Sequence, residues 1–234
     1  MYFFYAIFAT LPSLIWLGFY LRHDAKPEPK KMILGVFAIG IVAAIGASFL
    51  EKGALAIYQK FHEINPGFFY ILYIFIGIGF VEEFLKFLSV RVTALRHKEC
   101  DEPFDIVLYM IIAALGFVAL ENFLKFLRPN FLPSAHDTIF ISFILTITST
   151  LLHTIASGIL GCFIACGYYK HKYRILIVVL GIIFVSLLHG FYDFSIMKAT
   201  GVLKYSSMIG LLSFMTLFLW IFIHKIKRLP SVCN

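Results

Sequence analysis

Seven apolar stretches, at roughly 2–20, 32–50, 67–90, 105–127, 138–168, 175–197 and 205–224, constrain this chain more than any other feature of it. About 20 helical residues cross a hydrocarbon core ~30 Å thick. The spacing therefore predicts an all-α fold: a polytopic membrane protein built as a bundle of about seven transmembrane helices. Composition agrees. With 61% hydrophobic and 14% charged residues, the 234-residue chain carries more apolar surface than one soluble core would bury.

The helix ends are marked by polar and Pro/Gly-containing segments: Arg22 to Lys31 with Pro27 and Pro29, Pro66-Gly67, Arg91 to Pro103, Arg128 to Pro133, Lys170 to Arg174 and Lys198 to Lys204. The segment 51–65 reads as an interfacial continuation of the second helix, where Glu51 and Lys52 can snorkel. Thirteen of the twenty Lys and Arg fall in the 22–31, 91–104 and 169–174 loops and the tail, and six on the other face. By the positive-inside rule the first face is cytoplasmic, so the N-terminus is expected outside and the C-terminus inside. The N-terminus begins apolar without a basic n-region, as an uncleaved first span does.

The formal charge of +7 does not point to nucleic acid, because the basic residues sit in short clusters between spans without interleaved aromatics. That is the pattern of topology signals and headgroup contacts in a lipid bilayer. Cys100, Cys162, Cys166 and Cys233 show neither a disulfide framework nor zinc spacing, and Cys233 is too near the end for a prenylation box. No internal repeat or linker divides the chain, so residues 1–234 are expected to form one domain.

Against this apolar background six ionisable side chains lie within the spans: Glu82, Glu83, Glu121, His153, His189 and Asp193, with Lys86 beside the first pair. A charge at bilayer depth costs at least ~2.5–3.5 kcal/mol, so such residues usually face a polar cavity or line a pathway. In Glu82-Glu83-x-x-Lys86 the lysine can reach either carboxylate on a helix. Two adjacent carboxylates in a low dielectric cannot cheaply both ionise, which suits one of them to general acid/base chemistry. A buried Glu–Lys pair that locks helices together is the plainer reading of that motif. Glu121 is followed by Asn122, which can hold orientation by a hydrogen bond, and then by Lys125 and Arg128, so taken alone it also suits an interfacial acid. An i,i+4 spacing stacks His153 on Ser157 and His189 on Asp193. His189 and Asp193 could both ligate a metal, or the carboxylate could fix the imidazole's tautomer. A single histidine in a span is most simply a packing residue; two at depth weaken that reading. Ser157, Gly158, Gly161 and Gly190 permit close helix packing. Counted along the helices, the polar residues agree in depth within roughly 5–10 Å. One cluster near mid-bilayer would combine carboxylates, imidazoles and a lysine, which is what peptide hydrolysis needs.

The series Glu82-Glu83-x-x-Lys86, Phe117-x-x-x-Glu121-Asn122, His153-x-x-x-Ser157-Gly158 and His189-x-x-x-Asp193, each on its own helix and in this order, resembles the PrsW family of intramembrane proteases. That family is grouped with the CAAX prenyl proteases and the scaffold subunit of γ-secretase. The resemblance covers about residues 67–197. It implies site-1 cleavage of a single-span membrane protein, such as an anti-sigma factor, in a bacterial plasma membrane. It also implies that Glu82, Glu83 and a motif histidine are essential. The second motif of the prenyl-protease branch ends in His where this chain has Glu121, so that activity does not transfer. The expected catalytic group is Glu82, Glu83, His153 and His189, supported by Lys86, Glu121, Asn122, Ser157 and Asp193. His153, His189, Glu121 and Asp193 suit a divalent metal such as zinc, and the same inventory suits a metal-free glutamate–histidine site. A proton-coupled transporter or a non-catalytic scaffold or chaperone could carry a similar cluster, although a transporter more often shows repeats or broken helices.

Overall fold

The computed structural model describes residues 2–22, 28–97, 100–127 and 136–228. Among them seven long helices follow one another: α1 (Tyr2–Arg22), α2 (Lys30–Phe61), α3 (Pro66–Thr93), α4 (Pro103–Leu127), α5 (His136–Tyr169), α6 (Arg174–Lys198) and α7 (Gly201–Ile226), with no strand. Six are long and apolar enough to cross a membrane, and Ile7–Arg22 of α1 is a shorter apolar helix. Lys26, Pro27, Lys98, Arg128, Pro133 and Cys233 lie outside the described residues, and Cys100, Cys162 and Cys166 form no disulfide among the described residues.

Helix α2 runs unbroken to Phe61, so the segment after Glu51 continues the span. Asn65 then caps α3, its Oδ1 accepting from the Phe68 N–H at 3.1 Å, with Pro66 in the first turn where no donor is needed. Helix α3 is not uniform. Its residues Tyr73–Phe80 are π-helical, and the α-helical portion resumes at Val81, immediately before Glu82 and Glu83. Such widened turns are frequent at functional sites.

Helix α4 is the hub. Every residue from Pro103 to Ala119 is buried, because the helix is apolar all round and packs chiefly against α1, α2 and α5. Where α2 crosses it the backbones touch: a Cβ at Gly40 would strike the carbonyl oxygen of Ala113, and one at Gly116 that of Phe37. Small residues allow this approach between helices. The glycines expected to permit close packing do so. A Cβ at Gly161 would lie 2.7 Å from Val107 Cα on α4, and one at Gly190 2.6 Å from Phe75 on α3. Gly79 on α3 is as close to α6, where its Cβ would meet Ser186 O at 2.8 Å. This contact sets Glu83 beside His189.

One end of the bundle gathers the segments richest in Lys and Arg. Tyr168 Oη donates to Leu95 O at 3.3 Å, the Arg174 guanidinium lies 3.5 Å from the Tyr168 ring, and Lys227 Nζ lies 4.3 Å from the Phe104 ring. Glu28 accepts a hydrogen bond from Tyr109 at the same end.

Candidate active site

The polar residues from four helices meet. Glu82, Glu83 and Lys86 come from the α-helical part of α3, Glu121 and Asn122 from α4, His153 from α5, and His189 and Asp193 from α6. The i,i+3 and i,i+4 spacings put Lys86 against both carboxylates, with Nζ 2.8 Å from Glu83 Oε1 and 3.4 Å from Glu82 Oε2. The same ammonium donates to His153 Nδ1 at 2.6 Å and lies 4.5 Å from the Phe117 ring. Lys86 is fully buried, and these acceptors and the ring face offset the cost of burying its charge.

The neighbours assign the imidazole tautomers. His189 Nδ1 lies 2.8 Å from Glu83 Oε1, so that nitrogen carries the proton and donates it. His153 Nε2 lies 2.9 Å from Glu121 Oε2, and Nδ1 accepts from Lys86, so Nε2 carries the proton. The nitrogens that carry no proton, His153 Nδ1 and His189 Nε2, both stand 3.7 Å from one atom, Glu82 Oε2. The two rings meet edge to face with centroids 4.9 Å apart.

Glu82, Glu121, His153 and Asp193 line a cavity of about 260 Å³. Two residues that the sequence left with plainer roles line it too. Glu51, read as a snorkelling acid, lines the cavity together with Glu82. Lys125 pairs with Glu121 at 2.5 Å and reaches Ser149 at 3.4 Å. The signal for Glu51 was present in the apolar character of the residues after it, which extend the span past the acid. Among the supporting residues, Asn122 donates to Thr150 Oγ1 at 3.2 Å and so ties α4 to α5. Ser157 is fully buried one turn from His153, and its Oγ has no hydrogen-bond partner among the described residues.

This arrangement fits a divalent cation. Glu82, His153 and His189 each offer one ligating atom, and these atoms lie within 4.8 Å of one another. One carboxylate and two imidazoles form a set that zinc accepts. Each imidazole is held on its other nitrogen by a carboxylate, Glu83 or Glu121, which is how metal-bound histidines are usually oriented. Glu121 and Asp193, grouped with the histidines as ligands from the sequence, stand outside this trio, with Asp193 Oδ2 3.5 Å from His189 Nε2. The charge count points the same way. Five carboxylates (Glu51, Glu82, Glu83, Glu121, Asp193) face two ammonium groups (Lys86, Lys125), an excess of three that protons or a divalent cation must compensate in a low dielectric. Lys86, hydrogen-bonded to His153 Nδ1, is the one group that must yield to a cation there, and Glu83 offers it a second partner.

The chain matches the family model described as PrsW family intramembrane metalloprotease over residues 28–221. It is 27% identical to Protease PrsW of Bacillus subtilis (strain 168), over 92% of this chain and 89% of that protein. Identity to Protease PrsW of Shouchella clausii (strain KSM-K16) is 27% over 94% of each chain, and to that of Clostridioides difficile (strain 630) 25% over 92% of this chain and 86% of the other. No solved structure matches the chain. A helical membrane bundle, a buried carboxylate–imidazole group and a family match across both lead to one conclusion: the chain belongs to the PrsW family of intramembrane metalloproteases, multi-pass membrane enzymes of bacteria.

Proposed function

We propose that this protein hydrolyses a peptide bond of a single-span membrane protein within the bilayer, with Glu82 as general base and His153 and His189 beside it. One observation carries the reading: the two imidazole nitrogens that carry no proton, His153 Nδ1 (which accepts from Lys86) and His189 Nε2, both stand 3.7 Å from Glu82 Oε2, and Glu82 and His153 border the polar cavity. A divalent metal such as zinc, held by His153, His189 and one oxygen of Glu82, would supply Lewis acidity toward the scissile carbonyl and the attacking water, with the other Glu82 oxygen left to act as the base. The protein's own groups do the rest. Glu82 takes a proton from water and returns it to the leaving amine, and Glu51 lines the same cavity. Glu83 and Glu121 hold the two imidazoles in fixed tautomers and orientations. Lys86 and Lys125 keep positive charge close to the oxygen on which negative charge develops.

Site-1 cleavage of an anti-sigma-factor type substrate in the plasma membrane is the physiological role we assign. It rests on the motif order along residues 67–197 and on the family match. We read residues 1–234 as one catalytic domain, with the N-terminus outside and the C-terminus cytoplasmic, because the bundle end that joins Leu95, Tyr168 and Lys227 carries most of the Lys and Arg. Single cysteines in place of Lys60 and Val202 should label with an impermeant reagent from outside, and cysteines in place of Lys31 and Lys172 should not. The opposite labelling would reverse the orientation. For the chemistry, the purified protein is reconstituted with a tagged single-span substrate. Wild type should cleave it and Glu82→Gln should not; full activity in the Glu82→Gln, Glu83→Gln double variant would sink the reading.

A further inference from the structure

A second face of α3, next to the one that bears Glu82, Glu83 and Lys86, presents Phe84, Phe87 and Arg91 at i, i+3 and i+7. This face, the start of α6 and the end of α5 enclose a groove of about 730 Å³ that is separate from the polar cavity. Its walls are apolar: Phe84, Phe87, Ile164, Val178 and Ile182 line it. Its one polar end is made by Arg91, Arg96 and Arg174, together with Tyr168. All three arginines are exposed, no acidic residue lines the groove, and none of the three has an ion-pair partner among the described residues. Instead the Arg174 guanidinium lies 3.5 Å from the Tyr168 ring centroid and that of Arg91 lies 6.0 Å from the Phe87 ring. A guanidinium stacked on a ring is held in orientation while its N–H edges stay free for a bidentate oxyanion.

The groove is thus amphipathic along the helix axes. From Arg91 back to Phe84, and from Arg174 on to Ile182, it descends about 10–12 Å at 1.5 Å per residue. The charged end lies at the end of the bundle where Tyr168 is tied to Leu95, and the apolar length runs toward mid-membrane. Basic pockets between membrane helices at that level bind anionic headgroups. We propose that the groove holds an anionic phospholipid, its phosphate taken by Arg91, Arg96 and Arg174 and an acyl chain laid along Phe84, Val178 and Ile182. Charge complementarity selects this occupant. Three guanidinium groups with no ion-pair partner among the described residues, above an apolar slot, fit a phosphate joined to a hydrocarbon chain, whereas an apolar polypeptide helix would bring them no anion. The inference is independent of how the active site works.

Protein stripped of lipid in detergent is titrated with phosphatidylglycerol or phosphatidylcholine and examined by native mass spectrometry, with the melting temperature of each variant measured alongside. Phosphatidylglycerol should be retained in preference to phosphatidylcholine. The Arg91→Gln, Arg174→Gln double variant should lose roughly fivefold in affinity per arginine. Val178→Trp, which fills the apolar slot and leaves the arginines intact, should weaken phosphatidylglycerol as well, so the outcome does not hang on the folding of one variant. Lys52→Gln with Lys60→Gln, on the other end, should change nothing. Equal retention of the two lipids would overturn the proposal, as would unchanged binding in both groove variants. Displacement by glycerol phosphate as efficient as by the lipid would overturn it in favour of a bare anion site. A photo-crosslinker at Ile175 that captures a co-reconstituted single-span peptide in place of lipid would overturn it in favour of a polypeptide site.

Discussion

Two buried acidic clusters occupy this bundle, and they differ in what surrounds them. At the basic end, Glu28 and Asp105 lie near each other, Tyr109 donates to Glu28, and Asp105 Oδ2 accepts from the Glu102 N–H at 2.6 Å at the start of α4. That cluster is a knot: donors and acceptors close on each other, it lines neither the polar cavity nor the apolar groove, and it ties the segment before α2 to the hub helix. At mid-depth, Glu82 faces two imidazole lone pairs and a polar cavity, with more carboxylates than cations around it. Burial of acid is common to both. Two imidazole nitrogens without a proton beside one carboxylate oxygen that borders a cavity belong only to the second. On the proposed function, a buried carboxylate serves chemistry where its surroundings are left open, and serves as a structural tie where they are closed.

The difference is most exposed at Glu82. Gln keeps the shape but removes the base, so Glu82→Gln should lower cleavage of a single-span substrate by about 10²–10⁴-fold while the melting temperature is retained. The contrast between the clusters breaks if Tyr109→Phe costs as much activity. Next in size are the groups that orient the imidazoles. Glu83→Gln and Glu121→Gln should weaken metal binding by about 10–100-fold in a chelator competition. His189→Ala should abolish it, and His62→Ala and His224→Ala, at exposed sites, should leave it unchanged. Fully active enzyme with no stoichiometric metal would leave the water-activating version and remove the metal.

Glu51→Gln sharpens the boundary of the site. A smaller loss of cleavage than for Glu82→Gln is expected, because Glu51 borders the cavity but stands outside the group of Glu82, His153 and His189; wild-type rates would return it to a snorkelling role. The smallest effect on activity should come from the knot. Tyr109→Phe leaves a buried carboxylate short of a donor, which costs about 1–3 kcal/mol of stability. Thermal unfolding should show that loss while cleavage per folded molecule stays at the wild-type rate, and the reverse result would merge the two clusters into one functional unit.

How much of this was legible beforehand follows from what each residue interacts with. The helices were readable because each is a continuous apolar run of spanning length, and the bounds read for α4, α5 and α6 fall within two residues of those observed. The pairing of Lys86 with both glutamates was readable because all three lie on one helix at helical spacing. The company of Glu121, His153, His189 and Asp193 was suggested by equal depth, a coordinate that sequence supplies when helices run straight across. Glu51 and Lys125 were not readable as cavity residues. Their alternatives at the interface are just as favourable until the neighbouring helices are in place. The π-helical stretch Tyr73–Phe80 leaves no trace in composition, since Tyr-Ile-Phe-Ile-Gly-Ile-Gly-Phe suits an α-helical span equally well.

By itself the sequence determined the medium, the helical class, the family and the inventory of reactive groups, because these depend on hydropathy and on spacings within single helices. Only the tertiary structure decided that Gly40 and Gly116 bring α2 and α4 into backbone contact, and that Gly79 seats α3 against α6. From that packing it follows which nitrogen of each histidine carries no proton, and that both such nitrogens stand 3.7 Å from Glu82. Rotation and crossing of helices are set by the shape of facing surfaces, and a side chain's protonated nitrogen is set by partners more than 60 residues away in the chain. Neither is a property of any one segment.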